Sequence, residues 1–238
     1  MQRLDKYLVE NNYYESRNRA IDAIKRGKIF VDGKVAKPST KCDENSNIDI
    51  DKEKFYVSRA SKKLELFLEE YPMNLKDKRA LDIGSSTGGF VQILLENGVK
   101  GVSAVDVGSD QLHYSLRENK KVNVFENTDI RKFESNEVFE IVTCDVSFIS
   151  ILQIMEDINR LAKADMILLL KPQFEVGRNV KRDSRGVVVD QEAILKAKER
   201  FEKKAEEFAW SLLYETTSKL SGKSGNIEYI YHFRKTCS

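Results

Sequence analysis

Two charged residues stand where charge is costly. In "ILLLKPQFE" (residues 167–175) an apolar run leads directly into Lys171, and Pro172 then breaks it. In "EIVTCDV" (140–146) a second apolar run ends on Asp145. A lysine ordinarily titrates at about 10.4, but desolvation or a neighbouring cation lowers that value until the neutral amine can accept a proton. A lone acid at a strand end is more often a turn or helix cap. A lysine at the same edge makes the two together a candidate for proton transfer.

A third stretch, "ALDIGSSTGGFVQILL", reads as a strand, a glycine-rich turn and a helix. Gly84, Gly88 and Gly89 follow a GxxxGG spacing, which departs from the GxGxxG of a dinucleotide fingerprint. Gly84 permits a tight turn, while Gly88 and Gly89 are expected to let a ligand approach the backbone closely. Asp82, at the strand end, is placed to hold an ammonium group, and Ser86, Thr87 and Phe90 complete the turn. Asp106, in "AVDVG" about twenty residues on, suits the two hydroxyls of a nucleoside ribose. Asn127 and Asp129, in "ENTDI", would lie near an adenine. S-adenosylmethionine as cofactor accounts for all of these features together. A purely structural glycine turn and an NAD or other nucleotide site stay open as alternatives.

Positioning these groups requires a sheet. Strands are expected at 79–83, 101–107, 122–127, 140–146, 165–171, 212–218 and 226–233, with helices at 58–70, 88–97, 109–119, 150–163 and 190–209. Strands alternating with helices imply a parallel sheet covered on both faces. The last two strands have no helix between them, which implies a closing antiparallel hairpin. The fold class is therefore α/β: a Rossmann-like, seven-stranded methyltransferase-type domain. In it Asp145 and Lys171 end neighbouring strands at the carboxyl edge, where open α/β sheets bind ligands. The alternation in "NIEYIYHF" puts Glu228 and Ile230 on one face, and Ile227 and Tyr229 on the other.

The first fifty residues read as a separate small α+β unit. Leu4, Tyr7 and Leu8 share a helical face; Ser16 is a candidate N-cap, with Ala20, Ile21 and Ile24 as the next apolar stripe and Gly27 as its stop. "KIFVDGKV" gives a hairpin turning at Asp32-Gly33. The expected organisation is a first domain over 1–50, a linker over 51–57 and the larger domain over 58–238. Net charge is only +2, yet the first 42 residues carry ten Lys/Arg against five Asp/Glu. A polyanion would feel that +5 segment first.

Bulk properties exclude several classes. Charged residues make up 33% of the chain and hydrophobic ones 41%, as in soluble globular proteins. No apolar run approaches the roughly 18–20 residues that span a bilayer. The polar, acid-containing start "MQRLDKYLVENNYY" is not a secretory signal. Three well-separated cysteines (Cys42, Cys144, Cys237) fit a reducing cytoplasm better than a disulfide framework. With two histidines in the chain, no metal site is expected.

"RLDKYL…SRNRAIDAIKRGKIFVDGKVAKPSTKC" resembles the S-four type of RNA-binding domain. In that type the arginine-bearing helix and the following hairpin form a basic face against structured RNA. The resemblance implies RNA contacts from Arg3, Arg17, Arg19, Lys25, Arg26, Lys28, Lys34 and Lys41. Such contacts position an RNA without reading its sequence.

Beyond it, "VSRASKKL", "ALDIGSSTGGF", "AVDVGSDQL", "CDVSFIS", "LLLKPQFE", "GVVVD" and "GNIEY" follow in an order that resembles the TlyA family of ribosomal RNA 2′-O-methyltransferases. That family was once annotated under the name haemolysin and is related to the FtsJ-like ribose methyltransferases. The resemblance implies a Lys-Asp-Lys-Glu tetrad, falling on Lys63, Asp145, Lys171 and Glu228. It also implies S-adenosylmethionine as methyl donor and the ribose of a cytidine in ribosomal RNA as acceptor. Lys171 would be the general base, with Asp145 and Glu228 orienting it and Lys63. Ala60 stands where the family usually has glycine, and Lys219 where it often has proline.

Arg59 and the basic stretch "EVGRNVKRDSRGVVVD", with Arg178, Arg182 and Arg185, are expected to face the RNA as well. In the family it resembles, the shorter members act on large-subunit RNA alone, so with its short segment before the first helix and little chain beyond the last strand the resemblance favours large-subunit RNA as target. The expected partner is ribosomal RNA or a ribosomal subunit, with no membrane, in a cytoplasmic monomer. Two other readings compete: a ribosome-assembly protein with a vestigial methyltransferase domain, and a haemolysin acting indirectly.

Overall fold

The computed structural model describes residues 1–51, 54–177, 179–222 and 225–236. The chain divides into two compact units, Met1–Phe55 and Tyr56–Ser238.

In the first unit β1 (Gln2–Arg3) leads into α1 (Leu4–Glu10), and α2 (Arg17–Lys25) follows. Ser16 caps α2 by accepting a hydrogen bond from the Arg19 amide at 3.4 Å, and Gly27, at φ 72°, ends the turn after it. The strands are β2 (Ile29–Val31), β3 (Lys34–Val35), β4 (Lys41–Cys42) and β5 (Ile48–Ile50). They form a three-stranded sheet ordered β3-β2-β5 and a separate β1-β4 pair. The β2–β3 hairpin turns through Asp32 and Gly33, both at positive φ, as a tight Asp-Gly turn requires. Leu4, Leu8, Ala20, Ile24, Ile29 and Cys42 are in the core, with Tyr7 packed against it; of the expected stripe Ile21 is half-buried and outside that cluster.

The second unit opens on α3 (Arg59–Glu70), then β6 (Arg79–Ile83), α4 (Gly89–Glu96), β7 (Gly101–Val105), α5 (Tyr114–Arg117) and β8 (Val122–Phe125). After these come β9 (Phe139–Cys144), α6 (Met155–Leu161), β10 (Ala162–Leu170), α7 (Pro172–Glu175), α8 (Gln191–Glu207), β11 (Trp210–Thr217) and β12 (Tyr229–Lys235). They form one seven-stranded sheet ordered β11-β12-β10-β9-β6-β7-β8. β6 pairs in parallel with both β7 and β9, whereas β12 runs antiparallel between β10 and β11. The closing hairpin is thus present as expected. The order reverses at β6, which opens a crevice at the carboxyl edge between β6 and β9.

β10 is buried on both faces. Met166, Leu168 and Leu170 join one core cluster with Ile158 of α6 and Phe201 of α8. Ile167 and Leu169 join the other, with Leu64 of α3 and Ile93 of α4. A one-residue slip of β10 would exchange the faces, so packing fixes the register and with it the position of Lys171. Burying one such side chain stabilises by about 1.5–3 kcal/mol.

One expected element shrinks. The helix expected over 109–119 is reduced to the four residues of α5, and the chain before it is a loop held by the carboxylate of Glu126. Its Oε2 accepts from the Asp110 amide at 2.9 Å, and its Oε1 from Gln111 at 2.9 Å and Leu112 at 3.1 Å. Asp110 sits at φ 52°, outside helical geometry. Among the described residues no helix is long and apolar enough to cross a membrane.

Candidate active site

Asp145 immediately follows β9 and Lys171 immediately follows β10, and the parallel pairing of these strands brings both residues to one edge. Lys171 Nζ lies 2.5 Å from Asp145 Oδ1. From the opposite side Lys63, on α3, places its Nζ 3.5 Å from Asp145 Oδ2 and 2.6 Å from Glu228 Oε2. Glu228 directly precedes β12, and the alternation there is as expected: Glu228 and Ile230 are buried and Ile227 is exposed. The four side chains make one continuous ion-pair chain, Glu228–Lys63–Asp145–Lys171. All four are nearly buried, with Asp145 the most open at 12% of its side chain. Two ammonium and two carboxylate groups balance, so the cluster can be buried without a net charge.

The chain lines a cleft of about 810 Å³ with residues from the glycine turn, including Gly84, Ser86, Thr87, Gly89 and Phe90, and from the later loops at Gln173, Arg182 and Asn226. A second cleft of about 650 Å³ holds Asp106, Val107, Asp129 and Arg131. Both clefts include Gly84, Ser86, Asp145, Ser147 and Phe148, so they meet at the tetrad.

Asp82 faces the first cleft from inside β6. Burial raises its pKa to about 7, against the lowering effect of a 2.6 Å hydrogen bond from the Thr143 hydroxyl, and the Asp145 and Asp106 carboxylates push the same way as burial. No cation pairs with it among the described residues. Asp106 accepts from the Ser86 amide at 2.8 Å and from the Gly108 amide at 2.7 Å, one on each oxygen. Each oxygen keeps a further lone pair for a ligand hydroxyl. A buried carboxyl lacking a cation, beside a second carboxylate with spare acceptor capacity, fits a ligand that is cationic at one end and carries a ribose at the other.

The glycines have a different reason from the one expected of two of them. A Cβ on Gly88 would fall 2.3 Å from Leu116 Cδ1 and 2.8 Å from Leu112 Cδ1. One on Gly89 would fall 2.4 Å from Ser58 Oγ and 2.7 Å from the Ser61 amide. The room these glycines provide is filled by the protein itself. Gly89 in particular lets the start of α3, the helix of Lys63, lie against the start of α4.

Other expected positions are placed as follows. Asn127 and Gly88 line neither cleft, and the Asp129 carboxylate is held by Arg131 at 2.5 Å. Arg182 turns inward and donates to the main-chain oxygens of Gln173 at 3.2 Å and Gly177 at 3.1 Å, which pins its own loop. Arg185 stays largely exposed beside Asp183, and Arg59 donates to the Ser221 carbonyl at 2.8 Å. Arg178 lies outside the described residues, as does Cys237. In the first unit Arg3 and Arg17 both bind the fully buried Asp5, at 2.9 and 2.6 Å. Those hydrogen bonds, Arg3's foremost, hold the Asp5 pKa down at about 2. Arg19, Arg26 and Lys28 pair with Glu15, Asp22 and Asp51, all near the surface. Lys25, Lys34 and Lys41 are exposed.

Three contributors went unnoticed in the sequence. Ser147 accepts from Lys171 Nζ at 2.9 Å. Glu175 accepts from the Ser150 hydroxyl at 2.5 Å and the Ile151 amide at 2.9 Å, tying the loop after β10 to the loop after β9. Phe148 is 92% exposed, sits at φ 67° and meets Phe174 with ring centroids 5.5 Å apart. Its place directly after "CDVS" was the available signal.

Comparison with known proteins gives the family. An FtsJ-like methyltransferase family model matches residues 56–235, and an S4 domain model matches residues 2–48. A 23S rRNA (cytidine-2′-O)-methyltransferase TlyA from Campylobacter jejuni is 46% identical over 96% of this chain and 98% of its own. The chain belongs to the TlyA family of FtsJ-like methyltransferases. A 16S/23S rRNA (cytidine-2′-O)-methyltransferase TlyA from Mycobacterium tuberculosis is 35% identical over 98% of this chain and 89% of its own. A solved structure named "Putative hemolysin from Streptococcus thermophilus" superposes with a TM-score of 0.72 at 32% identity, covering 100% of this chain and 89% of its own. S-adenosylmethionine is accordingly the cofactor of this TlyA-family chain, and its cationic and ribose ends suit Asp82 and Asp106.

Proposed function

We propose that the protein methylates the 2′-oxygen of a cytidine ribose in ribosomal RNA, with large-subunit RNA as the preferred target. The observation that carries this reading is the continuous Glu228–Lys63–Asp145–Lys171 chain at the meeting point of the two clefts. The preference for the large subunit is supported by the relative named for 23S RNA, which is 46% identical, against 35% for the one named for both RNAs.

S-adenosylmethionine, when bound, supplies a methyl group already activated on a sulfonium. Asp82 holds the cationic end of that cofactor and Asp106 its ribose, while Gly84, Ser86, Thr87, Gly89 and Phe90 shape the wall beside them. Lys171 Nζ accepts the proton of the 2′-hydroxyl, so that the oxygen becomes nucleophilic as it reacts. Asp145 Oδ1, 2.5 Å from Nζ, stabilises the ammonium that Lys171 becomes on taking that proton. Lys63, itself held by Glu228, supplies a fixed positive charge next to the oxygen that gains electron density. Phe148 and Phe174 offer aromatic faces beside the tetrad on which an unstacked base can rest. The exposed cations of the first unit, with Arg59 and Arg185, supply phosphate contacts.

The test is reverse transcription of ribosomal RNA at low deoxynucleotide concentration, from cells with and without the protein. An enzyme-dependent stop beside one cytidine of the large-subunit RNA is the expected result. No new stop on either subunit RNA would overturn the proposal, and a stop confined to small-subunit RNA would overturn the preference.

A further inference from the structure

We infer that Ser147 is a positioning residue that aims the Lys171 amine at its substrate. The inference rests on the reading of Lys171 as the base and goes beyond the four-residue tetrad. A neutral lysine amine has two N–H bonds and one lone pair, and it acts as a base only when that lone pair faces the hydroxyl. A carboxylate that supplies charge alone leaves the amine free to rotate about its Cε–Nζ bond. An acceptor that holds an N–H is therefore needed.

Ser147 meets that need. Lys171 Nζ has three oxygen neighbours: Asp145 Oδ1 at 2.5 Å, Ser147 Oγ at 2.9 Å and the Asp145 main-chain oxygen at 3.4 Å. Asp145 Oδ1 makes an ion pair without hydrogen-bond geometry and supplies charge rather than direction. Ser147 Oγ is the acceptor placed to hold an N–H. The main-chain oxygen is long for a hydrogen bond and is the one a substrate hydroxyl can displace. Asp145 and Ser147 lie two residues apart on the loop directly after β9, and both side chains reach Lys171 Nζ. Val146, between them, packs against Gly84: a Cβ added there would stand 3.1 Å from Val146 Cγ1. The glycine turn thus sets the position of the loop that presents both side chains to Lys171.

Ser147 also joins the buried amine to solvent. Lys171 is 6% exposed, whereas Ser147 is an exposed residue. After each transfer Lys171 carries one proton more. It can return that proton through Ser147: Nζ gives a proton to Oγ while the serine's own hydroxyl proton passes to a water molecule. The serine ends unchanged and the amine ends neutral.

The test compares wild type, Ser147→Ala, Ser147→Thr and Lys171→Met in the full chain. For Ser147→Ala, kcat for methyl transfer is expected to fall about 10- to 100-fold, with KM for S-adenosylmethionine and for RNA within twofold. Ser147→Thr, which keeps the hydroxyl, should recover most of the loss. In the cofactor-free protein the Lys171 ¹⁵Nζ signal, assigned by its absence in Lys171→Met, should exchange its protons with water several-fold more slowly in Ser147→Ala, because the hydroxyl that passes them to solvent is gone. A Ser147→Ala enzyme with kcat within twofold of wild type, or one whose loss lies wholly in KM, overturns the inference. If Lys171→Met is inactive in that same comparison, the reading of Lys171 survives; if Lys171→Met is fully active, both fall.

Discussion

Lys63 and Glu228, 165 residues apart in the chain, meet at 2.6 Å with side chains 9% and 3% exposed. Removing one partner of a buried pair strands the other charge. Glu228→Gln should therefore cost about 3 kcal/mol of stability, the low end for such a break, because Asp145 remains 3.5 Å from Lys63 Nζ. The double variant Lys63→Met/Glu228→Met should regain most of that stability in urea denaturation while staying inactive. A double variant no more stable than Glu228→Gln alone would show that the pair is not energetically coupled.

Lys171→Ala should reduce methyl transfer at least a thousandfold, at the upper part of the range of about 10²–10⁴ for general acid–base catalysis. S-adenosylmethionine affinity, measured by calorimetry, should change less than threefold. Near-full activity would remove Lys171 from the chemistry.

Cofactor binding should depend on pH through Asp82. Its folded pKa, about 7, lies above the ordinary 3.8, so the group favours folding fully below about pH 4 and that contribution is lost as pH rises through 7. A cationic ligand prefers the ionised carboxylate. Affinity should therefore weaken as pH drops below 7, approaching about tenfold per unit. Asp82→Asn should bind the cofactor weakly at every pH, yet be more stable than wild type at pH 8 without cofactor. A flat affinity profile in the wild type would rule out Asp82 as the cation's partner.

Phe148→Ala should leave stability within about 0.5 kcal/mol, since its ring is 92% exposed. It should raise KM for RNA by about tenfold or more, the value of one base–aromatic stack. Cofactor affinity unchanged together with an RNA KM equal to wild type would exclude a stacking role.

Glu126 is held near a pKa of about 2, by Arg117 first and then by loop amides. Its ordinary value is 4.5, so its stabilisation is complete above about pH 4.5 and is lost as pH falls toward 2. Glu126→Gln should cost about 2 kcal/mol at pH 7 and should loosen the 108–112 segment beside Asp106, seen as faster amide exchange at Gln111 and Leu112. Unchanged exchange there would count against the anchoring role.

Much of the architecture was legible because it rests on local pattern. The β10 run "DMILLL" has no polar residue after Asp165, and only a strand buried on both faces has use for that. The glycine turn, the Ser16 cap and the Asp32-Gly33 turn likewise carry their geometry in their residue types. The 109–119 helix was misread for the opposite reason. Asp110 takes a positive φ, and the amides of 110–112 are tied to Glu126, a side chain from the following strand's end, a contact that no propensity within the segment reports. Arg182 looked like a surface cation, yet the carbonyls that bind it belong to its own folded loop.

The sequence by itself determined the order of strands and helices, the turn between β6 and α4, and the placing of Asp145 and Lys171 at one sheet edge, since residue type and spacing encode backbone preference; Lys63 and Glu228 were named only through the family resemblance. Only the tertiary structure decided that a side chain on Gly88 would collide with Leu116 and one on Gly89 with the start of α3. It also decided that Ser147 stands within hydrogen-bonding reach of Lys171 and that Asp82 is left without a cation. Contacts between segments far apart in the chain follow from how the sheet and its helices pack, and that packing is a property of the whole fold.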